Sequence, residues 1–285
     1  METLSRSWDL LGQSFAILKS DKELMWLPII SALFCIMATV TVFGTGLIWV
    51  LPPGVPIPHD PVAQKELTRQ MAPFVFLFYI FTYSVSTYFN VALVSIAADR
   101  LAGGKATLND GLQIAWQRKW SIFQWALLSA TVGMVIQALE QKFGFLGRIV
   151  IRTIGVAWVL ASFFVVPLLA AQDMGPVDAL FKSGRIFRKT WGEQVTGGFS
   201  FGLVFMLLAL PGILLPIMGA RMGQMGMLAG LAVAVLYWLL LGVINSAARG
   251  IFVAALYRYA TTEKISPGFS RTDFTGAWQP KLPRY

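Results

Sequence analysis

The sequence is poor in the residues that most often carry chemistry. It holds one cysteine, Cys35, and one histidine, His59. A lone cysteine forms no intrachain disulfide, and a lone histidine is too few for a metal site built on imidazoles. Charge is also scarce: 13% of the 285 residues are charged, against roughly 25% in soluble domains. No Asp or Glu falls well inside any long apolar run, which counts against a proton- or sodium-coupled carrier. No phosphate-cradling glycine loop, nucleophile triad or carboxylate pair is present. Gly103-Gly104-Lys105 lacks the frame of a phosphate loop and reads as a turn. No enzyme class, cofactor or metal is therefore expected.

What remains is apolar. Hydrophobic residues make up 56% of the chain, and no polar segment is long enough to fold as a domain of its own. The net charge of +9 then reads as a bias of cations toward the inner side of a membrane and toward anionic lipid, not as a nucleic-acid site. Met1 to Leu24 is too long and too mixed in charge for the first region of a cleavable signal peptide, and the chain ends without a prenylation motif.

A helix needs about 20 apolar residues to cross the hydrocarbon. Six runs qualify: about 25–50, 72–98, 120–139, 149–171, 194–220 and 222–248, with continuation to Leu256 as the alternative bound of the last. The expected fold is an all-α polytopic membrane bundle, a single domain over residues 1–285. Lys and Arg set its orientation. With the N-terminus inside, the inner segments collect Arg6, Lys19, Lys22, Arg100, Lys105, Arg118, Lys119, Lys182, Arg185, Arg188, Lys189, Arg258, Lys264, Arg271, Lys281 and Arg284. The outer segments hold only Lys65, Arg69, Lys142, Arg148, Arg152 and Arg221. Both termini are expected in the cytoplasm of a prokaryotic cell, with 259–285 as a cytoplasmic tail. The outer segment 51–71 reads as turn-rich from its prolines.

Three inner segments carry an apolar stripe at helical spacing with basic residues elsewhere: Leu4, Trp8, Leu11, Phe15 and Leu18 within 1–24; Leu108, Leu112, Ala115 and Trp116; and Val177, Leu180, Phe181, Gly184 and Phe187. Each precedes a tryptophan near the start of a span. They are expected to lie in the inner head-group plane. One in-plane helix plus a hairpin, used three times, would make an internal repeat. The ends of the even spans support it: Val91 to Asp99, Val165 to Asp173 and Ile251 to Tyr259 share their hydropathy.

Phe89-Asn-Val-Ala-Leu, Leu101-Ala-Gly-Gly-Lys105, the stretch Asp110 to Trp120 and Ala254-Ala-Leu-Tyr-Arg258 together resemble an uncharacterised bacterial and archaeal family of six-span membrane proteins. The pattern also looks, more distantly, like the membrane domain that accompanies some glycerophosphodiester phosphodiesterases, whose catalytic domain has no counterpart here. The resemblance implies a fold and no activity.

Four residues stand out as candidate anion or lipid-phosphate contacts: Arg249, Asn245, Arg148 and Arg152. Arg249 follows Asn245 by one turn. It precedes Arg258 by nine residues, which in a continuous helix is roughly 13 Å of depth. It would then need Asn90, Asp99, a carbonyl or a lipid phosphate; if the helix ends near Ala248, it is interfacial. Arg148 and Arg152 share a face and could bind an anion, although snorkelling to outer head groups is the ordinary use. Met218, Met222, Met225 and Met227 cluster at an outer turn. Thioethers suit Cu(I), but methionine is also a common apolar filler, and no metal is assigned. Pro211, Pro216 and Pro167 should kink or break their helices. Gly198 with Gly202, and Gly226 with Gly230, permit close packing.

The function that follows is a non-enzymatic integral membrane protein with an envelope, scaffold or lipid-interacting role, its partners being membrane lipids with anionic inner-leaflet head groups. A transporter or channel component for a small or anionic solute, and a membrane-embedded lipid enzyme, are the alternatives.

Overall fold

A backbone out of water must satisfy its own amides, which favours helices wherever the chain is apolar. The computed structural model describes residues 18–19, 21–50, 60–191 and 201–264, and among these every regular element is helical. A 3₁₀ turn, Lys22–Met25, leads into α1, Trp26–Val50. Then come α2, Pro61–Leu101, and the short α3, Leu108–Gln117. The central pair is α4, Lys119–Lys142, and α5, Phe145–Ala161, extended by α6, Val165–Ala171. Another shorter helix, α7, spans Pro176–Trp191. The last pair is α8, Phe201–Ala220, and α9, Gln224–Thr262.

Five helices are long and apolar enough to cross a membrane: Lys22–Gly46, Val62–Leu101, Lys119–Lys142, Gly147–Ala171 and Gln224–Thr262. A sixth apolar stretch, Phe205–Ala220, is shorter. The start expected for that run, 194–200, lies outside the described residues, as do most of the N-terminal stripe, the proline-rich 51–59 and the tail from 265.

Three boundaries differ from expectation. The turn-rich outer segment was expected to run to Met71, yet α2 already begins at Pro61. Asp60 caps it by accepting from the Ala63 amide at 3.1 Å, Pro61 occupies the first turn, and Ala63-Gln64-Lys65-Glu66-Leu67 are good helix formers. The fourth run is broken at Ser162–Phe164, just before Pro167, so it forms two helices. The last run does not stop at Ala248 but continues to Thr262, which moves Tyr259–Thr262 from tail to helix.

Consecutive long helices pair as hairpins: α1 with α2, α4 with α5, and α8 with α9. The hairpins meet at the end where α2, α6 and α9 finish. There the last turns of α2, α6 and α9 come together, and Val91, Ala92, Leu93, Phe164, Val165, Leu168, Ile251, Phe252 and Leu256 are buried. These are the three stretches whose hydropathy matched. We call this the closed end. Small residues let the helices approach: a Cβ on Gly250 would stand 2.2 Å from Leu93 Cδ2, and one on Gly111 would stand 2.7 Å from the Ala92 carbonyl oxygen. At the other, open end, each hairpin packs within itself. Gly219 faces the Gly226 backbone and Gly230 faces Leu215, each too close for a Cβ. The expected close packing at Gly226 and Gly230 is thus between the arms of one hairpin; Gly198 lies outside the described residues. Large apolar side chains such as Leu33, Val40, Leu214 and Leu240 are exposed along these arms.

Candidate functional site

Charged residues concentrate at the closed end, where the helices must terminate. Gly103, at φ +95°, turns the chain back after α2, a conformation that suits glycine. Asp99 then reaches over Gly104 and accepts from the Ala106 amide at 2.9 Å, while Arg100 Nε donates to the Ala106 carbonyl at 3.0 Å. Next, Thr107 and Asp110 form a capping box that starts α3. Asp110 Oδ2 accepts from the Thr107 amide at 2.7 Å and from its hydroxyl at 2.8 Å. These hydrogen bonds hold the Asp110 carboxyl below its ordinary range. Ser95, Asp99, Lys105, Asp110, Gly111 and Ile114 line an open cleft of about 470 Å³. Both of its carboxylates are engaged by the backbone, so the cleft presents no free acid–base pair.

Ion pairs close each of the first two units on itself, and hydrogen bonds join the units to one another. Arg100 meets Asp21 at 2.7 Å and Glu23 at 3.5 Å, tying the end of α2 to the chain before α1. Arg118, between α3 and α4, meets Asp173 after α6 at 2.6 Å. Arg258 of α9 donates to the carbonyl of Leu101, the last residue of α2. Lys182 of α7 donates to Gln172. Counting charges by side identifies these residues but not their partners. The one available signal was the recurrence of an aspartate, Asp99 and Asp173, at the ends of two matched stretches.

The breaks in the helices are filled. Between α5 and α6 the freed Phe164 amide donates to Ser183 Oγ of α7 at 2.9 Å, with Ser183 fully buried. Pro211 and Pro216 sit inside a continuous α8. On the turn before Pro211, the Leu208 carbonyl accepts from Tyr237 and the Ala209 carbonyl accepts from Trp238 Nε1 at 3.0 Å. Gly212 leaves room for that indole. Side chains of the neighbouring helix thus occupy the carbonyls beside the proline, a packing role.

The four candidate residues do not converge. Arg249 lies within α9, whose continuity removes the helix-end option, yet its side chain is exposed between buried Ala248 and Gly250. It has no ion pair or hydrogen bond among the described residues. The mid-depth partners considered for it, Asn90 and Asp99, are not engaged with it. Asn245, one turn earlier, is half-buried. Arg148 and Arg152 are exposed near the start of α5, at the open end, where Arg152 Nε approaches Glu140 Oε1 at 3.9 Å. Met218, Met222, Met225 and Met227 are all exposed around the α8–α9 turn. Among the described residues no three His, Cys, Asp or Glu gather as a metal site would need.

The in-plane stripes divide in two. On α3, Gly111 and Ala115 pack inward, but Trp116 is 61% exposed. On α7, Ala179, Ser183 and Phe187 pack inward, while Val177 and Phe181 point out. Trp120, at the start of α4, is also exposed, and Lys119 Nζ lies 4.1 Å from the centroid of the Trp116 ring.

An all-α bundle with five helices long enough to cross a membrane, joined through one closed end, defines the class. Residues 70–268 match the model of a family of unknown function, DUF6159, and the chain belongs to that family. No curated protein and no solved structure matches it.

Proposed function

We propose that the chain is a multi-pass protein of a prokaryotic inner membrane, with the closed end and both termini on the cytoplasmic side. In this reading it is a non-enzymatic scaffold whose α3–α4 corner and basic α7 lie against the inner leaflet. The observation that carries this is the closed end itself. Two short helices, each packed by one face on the junction of three hairpins, present Trp116 and Phe181 outward, with Lys119 just after α3 and Arg185 and Arg188 on α7. That arrangement suits a lipid boundary better than a solute path. A carrier would need a polar route to Arg249, whereas Arg249 is exposed, the break before Pro167 is filled by Ser183, and α8 runs unbroken through Pro211 with Tyr237 and Trp238 on its carbonyls. The family match brings no activity, and none of the comparisons shows the expected likeness to a phosphodiesterase-associated membrane domain.

Two measurements test the proposal. On a Cys35→Ser background, Lys105→Cys and Arg221→Cys are labelled with a membrane-impermeant maleimide in oriented vesicles. Lys105→Cys should react only from the cytoplasmic face and Arg221→Cys only from the opposite one; the reverse pattern sinks the orientation. In proteoliposomes, wild-type protein and Arg249→Ala should leak anions and small solutes no faster than empty vesicles. A flux abolished by Arg249→Ala would establish transport instead.

A further inference from the structure

We infer that the α3–α4 corner and the outward face of α7 form two ridges that bind anionic phospholipid head groups, each by an aromatic wedge beside unpaired cations. The inference rests on the proposed placement of the closed end at the inner leaflet and names its ligand. Trp116, Trp120 and Phe181 are 61%, 70% and 66% exposed. Large rings left uncovered beside a tightly packed core are a cost in water and a gain at a lipid boundary. Depth follows from α4. It begins at Lys119 and is one of the helices long enough to cross. Trp120, in its first turn, therefore falls where hydrocarbon gives way to head groups, the depth at which tryptophan accumulates.

The cations are placed to match. Lys119 rests on the Trp116 ring at 4.1 Å and has no carboxylate partner among the described residues. A ring-held ammonium keeps its donors for a phosphate. On α7, Phe181, Arg185 and Arg188 are exposed at spacings of four and three, so they share a face. Neither arginine has an ion pair among the described residues. The exposed Asp178 nearby pairs with none of them. A guanidinium fork matches the two free oxygens of a phosphate diester, while the phenyl ring beside it suits the acyl chains. The neighbouring arginines Arg100 and Arg118 are tied to aspartates, whereas Lys119, Arg185 and Arg188, like the exposed Lys189 beside them, have no ion pair among the described residues and are free to take a ligand.

The test uses the full chain in vesicles of zwitterionic phospholipid carrying a graded fraction of an anionic phosphatidylglycerol. Lipid retained after detergent exchange is counted by mass spectrometry, and tryptophan emission is quenched with lipids brominated close to the head group. The triple variant K119Q/R185Q/R188Q should retain at least tenfold less anionic lipid, at roughly fivefold per cation, with retention of zwitterionic lipid unchanged. W116F/W120F should lower the emission that shallow bromolipid quenches, the exposed Trp26 and Trp49 keeping their share. Should the triple variant fail to reach wild-type helicity, R188Q alone carries the first readout at about fivefold, and the quenching of wild type carries the second. Unchanged anionic retention, or Trp116 and Trp120 quenched by aqueous iodide but not by bromolipid, overturns the inference. Unchanged retention with Lys105→Cys labelled from the cytoplasmic side overturns the ridges and leaves the topology standing. Labelling only from the other face overturns the topology.

Discussion

The closed and open ends are made of the same apolar residues yet follow different packing rules. At the closed end, Phe164, Phe252, Leu93 and Leu256 are fully buried and every unit touches another. At the open end, Leu214, Leu240 and Val40 are exposed, and the close glycine contacts are between the two arms of a hairpin. Composition does not separate the two, since both are rich in Leu, Val, Ala and Phe. Small residues bring helices close at both, Gly111 and Gly250 at one and Gly219 and Gly230 at the other; what separates them is the polar staples that cap the helix ends. Lipid tails are as apolar as leucine, so an exposed leucine on an arm gains little from finding a protein neighbour. Close packing, capped ends and the hydrogen bonds of Arg258 and Lys182 are what draw the hairpins together.

Substitutions can break or sharpen this contrast. The largest effect is expected for Phe252→Ala, which empties a fully buried site and should cost about 3–5 kcal/mol. Leu240→Ala, on an arm, should stay within about 0.5 kcal/mol. Unfolding of both in detergent compares them directly, and equal losses would erase the distinction between the ends. Gly219→Val comes next. A Cβ there would stand 2.2 Å from the Gly226 carbonyl oxygen, while one on Gly133 meets nothing within 4 Å. The first should cost about 1–3 kcal/mol and the second far less, showing that the open end is strict within a hairpin and loose outside it. Ser183→Ala removes the buried acceptor of the Phe164 amide, at about 1–3 kcal/mol; a shift in melting temperature below 1 °C would show that the break is satisfied some other way. The smallest effect concerns pH. The carboxyl of Asp110 titrates below its ordinary range when folded, so its capping contribution is present in full above the unfolded value and fades as pH falls through the folded one. The melting difference between wild type and Asp110→Asn should therefore shrink below about pH 4; a difference that widens on acidification would contradict the assigned sign.

Much of the architecture was readable from hydropathy. The run at 25–50 became α1 almost residue for residue, and the likeness of Val91 to Asp99, Val165 to Asp173 and Ile251 to Tyr259 anticipated the segments that meet in the core. Local chemistry also announced the turn at Gly103-Gly104-Lys105. Other features depend on partners distant in sequence. A periodic stripe specifies a face of a helix but not whether that face meets protein or surroundings, which is why Trp116 and Phe181 point outward while Ala115 and Phe187 do not. Pro167 marked a break, yet the acceptor that makes the break tolerable, Ser183, belongs to another helix. Pro61 was read with the prolines before it as loop, although after Asp60 it starts a helix. Among the candidate residues, Arg249 was placed in depth by counting along α9, but the direction of its side chain is set by how α9 rolls against α2.

Arg258 and Leu101, joined across the closed end, stand 157 residues apart in the chain. At roughly 5–20 residues per second of synthesis, the end of α2 waits on the order of 8–30 s before the helix that caps it leaves the ribosome. During that interval Leu93, whose final neighbour is Gly250 of α9, has no final partner. The order of manufacture makes the earliest long hairpin the last to be sealed, and ribosomal pausing late in the message would lengthen its exposure.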